Sequence, residues 1–207
     1  MMVKICGITN REDALAAIEA GASAIGFNFY RESPRYISHT GAAMIAEKIP
    51  ANVWKVGVFV NETPEGIAKI MLDAGLDVAQ LHGSSEARGI RIWRACPANG
   101  LVCEFGAAPE AAGQGEQPAA GTVEALLIDA PSSELYGGTG QTFDWSLAKR
   151  LAPFRVIIAG GLDADNVRIA IEQARPWGVD ACSRIEKSPG LKDHEKMRKF
   201  VKAALQS

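Results

Sequence analysis

Eight apolar, strand-like segments alternate with helix-like ones along the whole 207-residue chain. This alternation predicts a parallel sheet, and eight such units predict a closed (β/α)8 barrel in a single domain over residues 1–207. Hydrophobic residues make up 47% of the chain, enough for a sizeable core. The competing architecture is a doubly wound open sheet. It usually carries G-x-G-x-x-G after its first strand, and Cys6-Gly7-Ile8-Thr9-Asn10 has no such pattern.

Val3–Cys6 is the first predicted strand, and Thr9-x-x-Glu12 reads as a capping box for a helix from Arg11 to Ala20, stopped by Gly21. Ala24–Phe29 is strand 2, followed by a weak helix over Thr40–Lys48. Trp54–Val60 is strand 3. Thr63-Pro64 then supplies an N-cap and an N1 proline, and Ile67, Ile70, Met71 and Ala74 recur at helical spacing. Strand 4 is Val78–His82 and strand 5 is Ile90–Ala95. A parallel crossover usually takes a dozen or more residues, so the segment from Gly83 to Gly89 predicts a helix 4 that is missing or reduced. Pro97–Thr122, rich in Gly, Ala, Pro and Gln, predicts a short or irregular helix 5. Ala125–Ala130 is strand 6, Asp144–Leu151 a helix capped by Asp144, and Arg155–Ala159 strand 7. Val167, Ala170, Ile171 and Ala174 mark the next helix, Val179–Cys182 strand 8, and Met197, Phe200, Val201 and Ala204 the last helix.

The net charge of −2, with no basic run, offers nothing for nucleic acid or an anionic membrane. No run reaches the ~20 apolar residues of a membrane span, and the chain opens on a strand rather than a leader pattern. Cys6, Cys96, Cys103 and Cys182 form no C-x-x-C pair and do not cluster with the three histidines, which argues against zinc. Scattered cysteines fit a reducing cytoplasm. Monomer and homodimer both stay open.

Barrels of this type place their chemistry at the C-terminal strand ends. Cys6 ends strand 1 next to a helix start whose dipole favours a thiolate; the alternative is a small buried hydrophobe. Asp129 ends the apolar run Ala125-Leu126-Leu127-Ile128 and leads into a glycine-rich loop, which favours a functional carboxyl able to act as a general acid; the alternatives are an N-cap or a solvated loop carboxylate. Gly138, Thr139 and Gly140 after strand 6, Gly160 and Gly161 after strand 7, and Ser183 and Arg184 after strand 8 are candidates for a phosphate cradle, with a helix dipole beyond Gly160-Gly161-Leu162. Arg35 either pairs with a substrate carboxylate or lies on the surface, the surface being the default for a lone arginine. His82 is either an acid–base group or a hydrogen-bonded structural histidine. Gln80 and Asp180 share these strand ends as candidate substrate contacts. Glu186 is expected to hold the loop after strand 8, and Cys96 and Cys103 to pack.

An ordered set of motifs carries a resemblance. Lys4-Ile5-Cys6-Gly7-Ile8-Thr9, Ser33-Pro34-Arg35-Tyr36-Ile37-Ser38, Val56-Gly57-Val58-Phe59-Val60-Asn61 and Gln80-Leu81-His82-Gly83 resemble phosphoribosylanthranilate isomerase. So do Leu127-Ile128-Asp129, Gly137-Gly138-Thr139-Gly140, Phe143-Asp144-Trp145, Gly160-Gly161-Leu162 and Val179-Asp180 with Ser183 and Glu186. The resemblance implies a (β/α)8 barrel that converts N-(5-phosphoribosyl)anthranilate to 1-(2-carboxyphenylamino)-1-deoxyribulose 5-phosphate in tryptophan biosynthesis. It implies no metal or organic cofactor. It implies Cys6 as general base, Asp129 as general acid, Arg35 at the anthranilate end and the glycine loops on the phosphate. Relatives that also serve histidine biosynthesis use an aspartate at the Cys6 position, so a single substrate is expected.

Two features depart from the family's pattern. Strand 8 often ends Ser-Ser-Gly there and reads Cys182-Ser183-Arg184 here, and the short segment after strand 4 is expected to leave His82 on a less supported loop. Three rivals remain. An indoleglycerol-phosphate synthase would want a lysine at a strand end, and none is clear. A pentose-phosphate epimerase would want several metal-binding His and Asp. A phosphate-binding protein without chemistry would not need both Cys6 and Asp129.

Overall fold

A computed structural model describes residues 1–98, 123–129, 143–151 and 153–207. Eight parallel strands close on themselves: β1 (Met2–Ile5), β2 (Ala24–Asn28), β3 (Trp54–Val60), β4 (Val78–His82), β5 (Arg91–Pro97), β6 (Val123–Asp129), β7 (Arg155–Ile158) and β8 (Gly178–Ala181), with β8 pairing back onto β1. The helices are α1 (Arg11–Ala20), α2 (His39–Ala46), α3 (Pro64–Asp73), α4 (Val167–Ala174) and α5 (His194–Leu205). A short antiparallel pair, β9 (Glu186–Ser188) with β10 (Leu191–Lys192), lies between β8 and α5.

Strand alternation sorts the side chains into two sets. Ile5, Ile25, Leu126, Ile128, Val179 and Ala181 face outward and pack with the buried faces of α1, α4 and α5. Ala24, Val56, Val78, Trp93, Ala125, Leu127 and Ile157 fill the interior. At the N-terminal end three indoles close the floor: Trp54, Trp93 and Trp177 have centroids 5.5–6.0 Å apart. Arg91 and Arg155 stack over Trp54 and Trp177 and converge on the buried Glu124.

Most predicted elements stand where the sequence places them, and the differences are local. α1 is capped by Asn10, whose side chain accepts from the Asp13 amide at 2.8 Å, and not by the Thr9–Glu12 box. The Thr9 hydroxyl instead donates to the Gly190 carbonyl. α2 starts at His39, capped by Ser38. The segment predicted as helix after β6 is a 3-10 helix over Trp145–Leu151, entered through Asp144, which accepts from the Ser146 amide; Pro153 follows within two residues.

Residues 83–90 between β4 and β5 form turns without a helix, in line with the short spacing. They are not poorly supported. Ser85 is buried, its Oγ accepts from the Glu62 amide at 2.8 Å, and its carbonyl accepts from Arg94 at 2.7 Å. Asn61 accepts from the Ser84 amide, and Gly83 takes a φ of 62° beside it. Helix 5 and Cys103, predicted within residues 97–122, lie outside the described residues.

Candidate active site

The parity that sorts the core also sorts the polar residues. Lys4 and Cys6 on β1, Gln80 and His82 on β4, Asp129 on β6 and Asp180 on β8 all occupy inward-facing positions toward the C-terminal end of the barrel. The register that closes the barrel pairs Lys4 with Asp180. Lys4 Nζ, wholly buried, lies 2.9 Å from Asp180 Oδ2. Burial alone would discharge Lys4, but the negative charges of Asp180 and Cys6 outweigh it and hold the ammonium on. Burial pushes Asp180 up to about 8 against the pull of Lys4, with Cys6 and Asp129 adding repulsion. Asp180 Oδ1 and Gln80 Oε1 are buried acceptors with no hydrogen-bond partner among the described residues, which points to a ligand donor as their partner.

Cys6 follows β1 and is 9% exposed. Interaction with the Cys182 thiol lowers its pKa well below the ordinary thiol range. Burial opposes this, and the charges of Lys4 and Lys192 reinforce it. The Cys182 thiol is pushed the opposite way by Cys6 and by burial. Its sulfur lies 3.9 Å from Lys192 Nζ and 4.0 Å from Glu186 Oε1. Gly26 makes room for this arrangement: a Cβ there would sit 2.9 Å from Cys6 Sγ and 3.0 Å from Lys4 Cε.

His82 Nε2 lies 2.9 Å from Gln80 Nε2. An amide nitrogen only donates, so in this orientation Nε2 accepts and Nδ1 carries the proton. Burial, with the charges of Lys4 and Arg94, brings the imidazole down to about 4. His82 is therefore neutral at pH 7, which removes the imidazolium acid from its two sequence readings.

Arg35 is not a surface arginine. Its Nε and Nη2 form a fork on Glu186, at 3.0 and 2.8 Å, with the side chain 13% exposed. It packs where a Cβ on Gly7 would stand, 2.8 Å from its Cδ. Glu186 also accepts from Lys192 Nζ at 2.8 Å and, more weakly, from the Gly190 amide. It holds its loop through two cations more than through backbone amides.

Asp129, half-buried at the end of β6, shares a small cleft with Gly160, Gly161, Asp180, Cys182, Ser183 and Arg184. Gly160 and Gly161 take φ of 80° and 60°, which turns the chain sharply off β7. The helix expected directly beyond them starts later: α4 begins at Val167, after a turn in which Asn166 donates to the Gly161 carbonyl. The Arg184 side chain reaches Asp163 at 2.7 Å rather than turning away into solvent. Gly138, Thr139 and Gly140 lie outside the described residues. Among the described residues, no cluster of His, Cys, Asp or Glu could hold a metal ion.

Lys4, Lys192 and Cys182 are the site residues that sequence reasoning missed. A lysine inside Val3-Lys4-Ile5 and an aspartate inside Val179-Asp180-Ala181 were the available signal: opposite charges at inward positions of apolar strands.

Residues 3–203 match the family model of N-(5′-phosphoribosyl)anthranilate (PRA) isomerase. The chain belongs to this family. The N-(5′-phosphoribosyl)anthranilate isomerase of Solibacter usitatus is 50% identical over 209 residues, covering 99% of this chain and 97% of the relative. The crystal structure of phosphoribosyl anthranilate isomerase from Thermotoga maritima superposes with a TM-score of 0.81 at 38% identity and full coverage of both chains. Another structure of the isomerase, in complex with reduced 1-(o-carboxyphenylamino)-1-deoxyribulose 5-phosphate, gives 0.77 at 35% identity, again over both whole chains. The chain is thus a PRA isomerase of tryptophan biosynthesis. Its Cys182 and Arg184 stand in the strand-8 turn that the motif comparison had marked as divergent.

Proposed function

We propose that this PRA isomerase works by general acid–base catalysis, with Asp129 as the acid and Cys6 as the base. The observation that carries the reading is the placing of both side chains at inward positions on one rim, where Cys182 and the charges of Lys4 and Lys192 favour the Cys6 thiolate. Asp129 delivers its proton to the ribose ring oxygen, the bond from that oxygen to C1′ breaks, and the anthranilate nitrogen lone pair forms an iminium. The iminium acidifies C2′–H. Cys6 removes that proton, and the electrons form the C1′–C2′ double bond of an enol that tautomerises to the ketone. A substrate already activated this way asks only a moderate base, so the chemistry proceeds through protein side chains alone.

Arg35 serves the anthranilate carboxylate through Nη1, the edge its fork on Glu186 leaves over. Asp180 Oδ1 and Gln80 Oε1 accept from ribose hydroxyls, and neutral His82 fixes the Gln80 amide. The phosphate sits between Gly160-Gly161 and Ser183, with Arg184 at the rim. The chain acts in one domain, in the cytoplasm, on one phosphorylated substrate. Decay of the substrate's anthranilate fluorescence tests the roles: Cys6→Ala and Asp129→Asn each lower kcat by about 10²–10⁴-fold. Undiminished turnover in either variant overturns its assignment.

A further inference from the structure

Cys6 and Cys182 lie side by side at the seam that closes the barrel. The last β1–β8 register pair is Ile5 with Ala181, and the Cys6 amide donates to the Ala181 carbonyl at 2.9 Å, so Cys6 and Cys182 are the next residues along two hydrogen-bonded strands. Adjacent strands lie about 4.8 Å apart, inside the Cα separation that a disulfide spans. The Cys182 side chain also turns back toward the end of β1: a Cβ on Gly7, the residue after Cys6, would stand 3.0 Å from Cys182 Sγ. Cys6 is confined on its far side by Gly26 and Lys4, and Cys182 by Lys192 Nζ, 3.9 Å from its sulfur. Cys182 lines the cleft, so a small solute reaching the substrate site meets this pair. Cys96 cannot join them: it is buried in the outward-facing core.

The geometry points to Cys6 and Cys182 as a peroxide-oxidisable dithiol that locks the isomerase in an inactive disulfide. The first step is attack of the Cys6 thiolate on hydrogen peroxide: an S–O bond forms, the O–O bond breaks, and the departing hydroxide takes a proton to leave as water. Cys182 then loses its proton and attacks the Cys6 sulfenic sulfur. The S–S bond forms, the S–O bond breaks, and hydroxide leaves with that proton as a second water. Two thiols and one peroxide become one disulfide and two waters, and two electrons pass from the sulfurs to the peroxide oxygens. The two lysines assist both steps by favouring thiolate and stabilising the anionic leaving group. The resolving Cys182 also protects Cys6, because disulfide formation competes with further oxidation to sulfinic acid, which dithiothreitol does not reverse.

The loss of activity rests on the reading of Cys6 as the base, while the disulfide itself does not, and one experiment separates them. The full-length protein is reduced, desalted and exposed to a few equivalents of hydrogen peroxide, with intact mass, peptide mapping and turnover followed together. The expected result is a loss of about 2 Da, a Cys6–Cys182 cross-linked peptide, a more than tenfold loss of turnover, and recovery of both in dithiothreitol. In Cys182→Ser, whatever its own rate, peroxide adds about 32 Da at Cys6 and dithiothreitol does not restore the lost fraction. A wild-type protein that gains oxygen at Cys6 without losing the two protons overturns the proposal. So does a disulfide that maps to another pair. A Cys6–Cys182 disulfide with full turnover upholds the oxidation chemistry and overturns the base.

Discussion

The reactive state of Cys6 comes from its neighbours more than from its own position. A thiol buried to this extent would normally be harder to ionise. Here the Cys182 thiol and the charges of Lys4 and Lys192 reverse that tendency. The base must be deprotonated to work, so turnover is present at neutral pH and lost as pH falls through the lowered thiol pKa. Lys4→Met removes one of these charges, and the acidic limb of the kcat/KM profile is expected to move to higher pH. The same change leaves Asp180 buried without its cation, at a cost of about 3–5 kcal/mol read from denaturant melts. Gly26→Ala tests the space rather than the charge. Its Cβ would lie 2.9 Å from Cys6 Sγ and 3.2 Å from Cys6 Cα, so the backbone must shift. Stability is expected to fall by about 1–3 kcal/mol, with a drop in kcat larger than any change in KM.

At the scale of the element, the caps and loop ties show which local rules the fold uses. Asn10 caps α1 and also donates to Asp13, whose carboxylate is buried and accepts from the Lys192 amide and from His194. One helix N-terminus is thereby tied to β10 and α5. Asn10→Ala is expected to cost about 1 kcal/mol or more in urea denaturation, whereas Glu12→Ala, at an exposed first-turn position, stays within about 0.5 kcal/mol. The reverse ranking would restore the Thr9–Glu12 capping box. Between β4 and β5, side-chain hydrogen bonds from Asn61, Ser85 and Arg94 take the place of the crossover helix. His82 stays inside β4, paired with Val60 of β3.

The whole molecule separates stability from chemistry along the barrel axis. The N-terminal end is closed by three packed indoles and a buried carboxylate between two arginines; the C-terminal end holds acids, thiols and lysines around a cleft. One group buried toward the C-terminal end links stability to pH. His82 stands at about 4 in the fold against 6.5 when exposed. Between those values the unfolded imidazole binds the extra proton, so the contribution of His82 is complete above pH 6.5 and is lost as pH drops toward 4, about 3 kcal/mol at 1.36 kcal/mol per pH unit. Asp180, pushed up to about 8, acts in the opposite sense over the same window, because there the folded chain holds the extra proton. The stability of the wild type relative to His82→Asn, read from thermal melts, is therefore expected to fall by about 3 kcal/mol from pH 6.5 to pH 4; a difference independent of pH would place the linkage elsewhere.

Sequence alone determined the strands, most helices and the rim on which chemistry is possible. Those features are local: alternating apolar runs, helical spacing and turn residues report them directly. It also singled out Cys6 and Asp129, since a polar residue ending an apolar strand is visible without a fold. Tertiary structure decided the rest. Lys4 and Asp180 stand 176 residues apart, and only closure of β8 onto β1 makes them a pair. Arg35 and Glu186, 151 residues apart, become a buried fork for the same reason, against the expectation of a surface arginine. Cys182 changes meaning in the same way, from a variant at a strand end to the neighbour of Cys6 across the seam. The physical reason is common to all three. Charge and ionisation depend on neighbours within a few ångströms, and in a closed barrel those neighbours come from opposite ends of the chain.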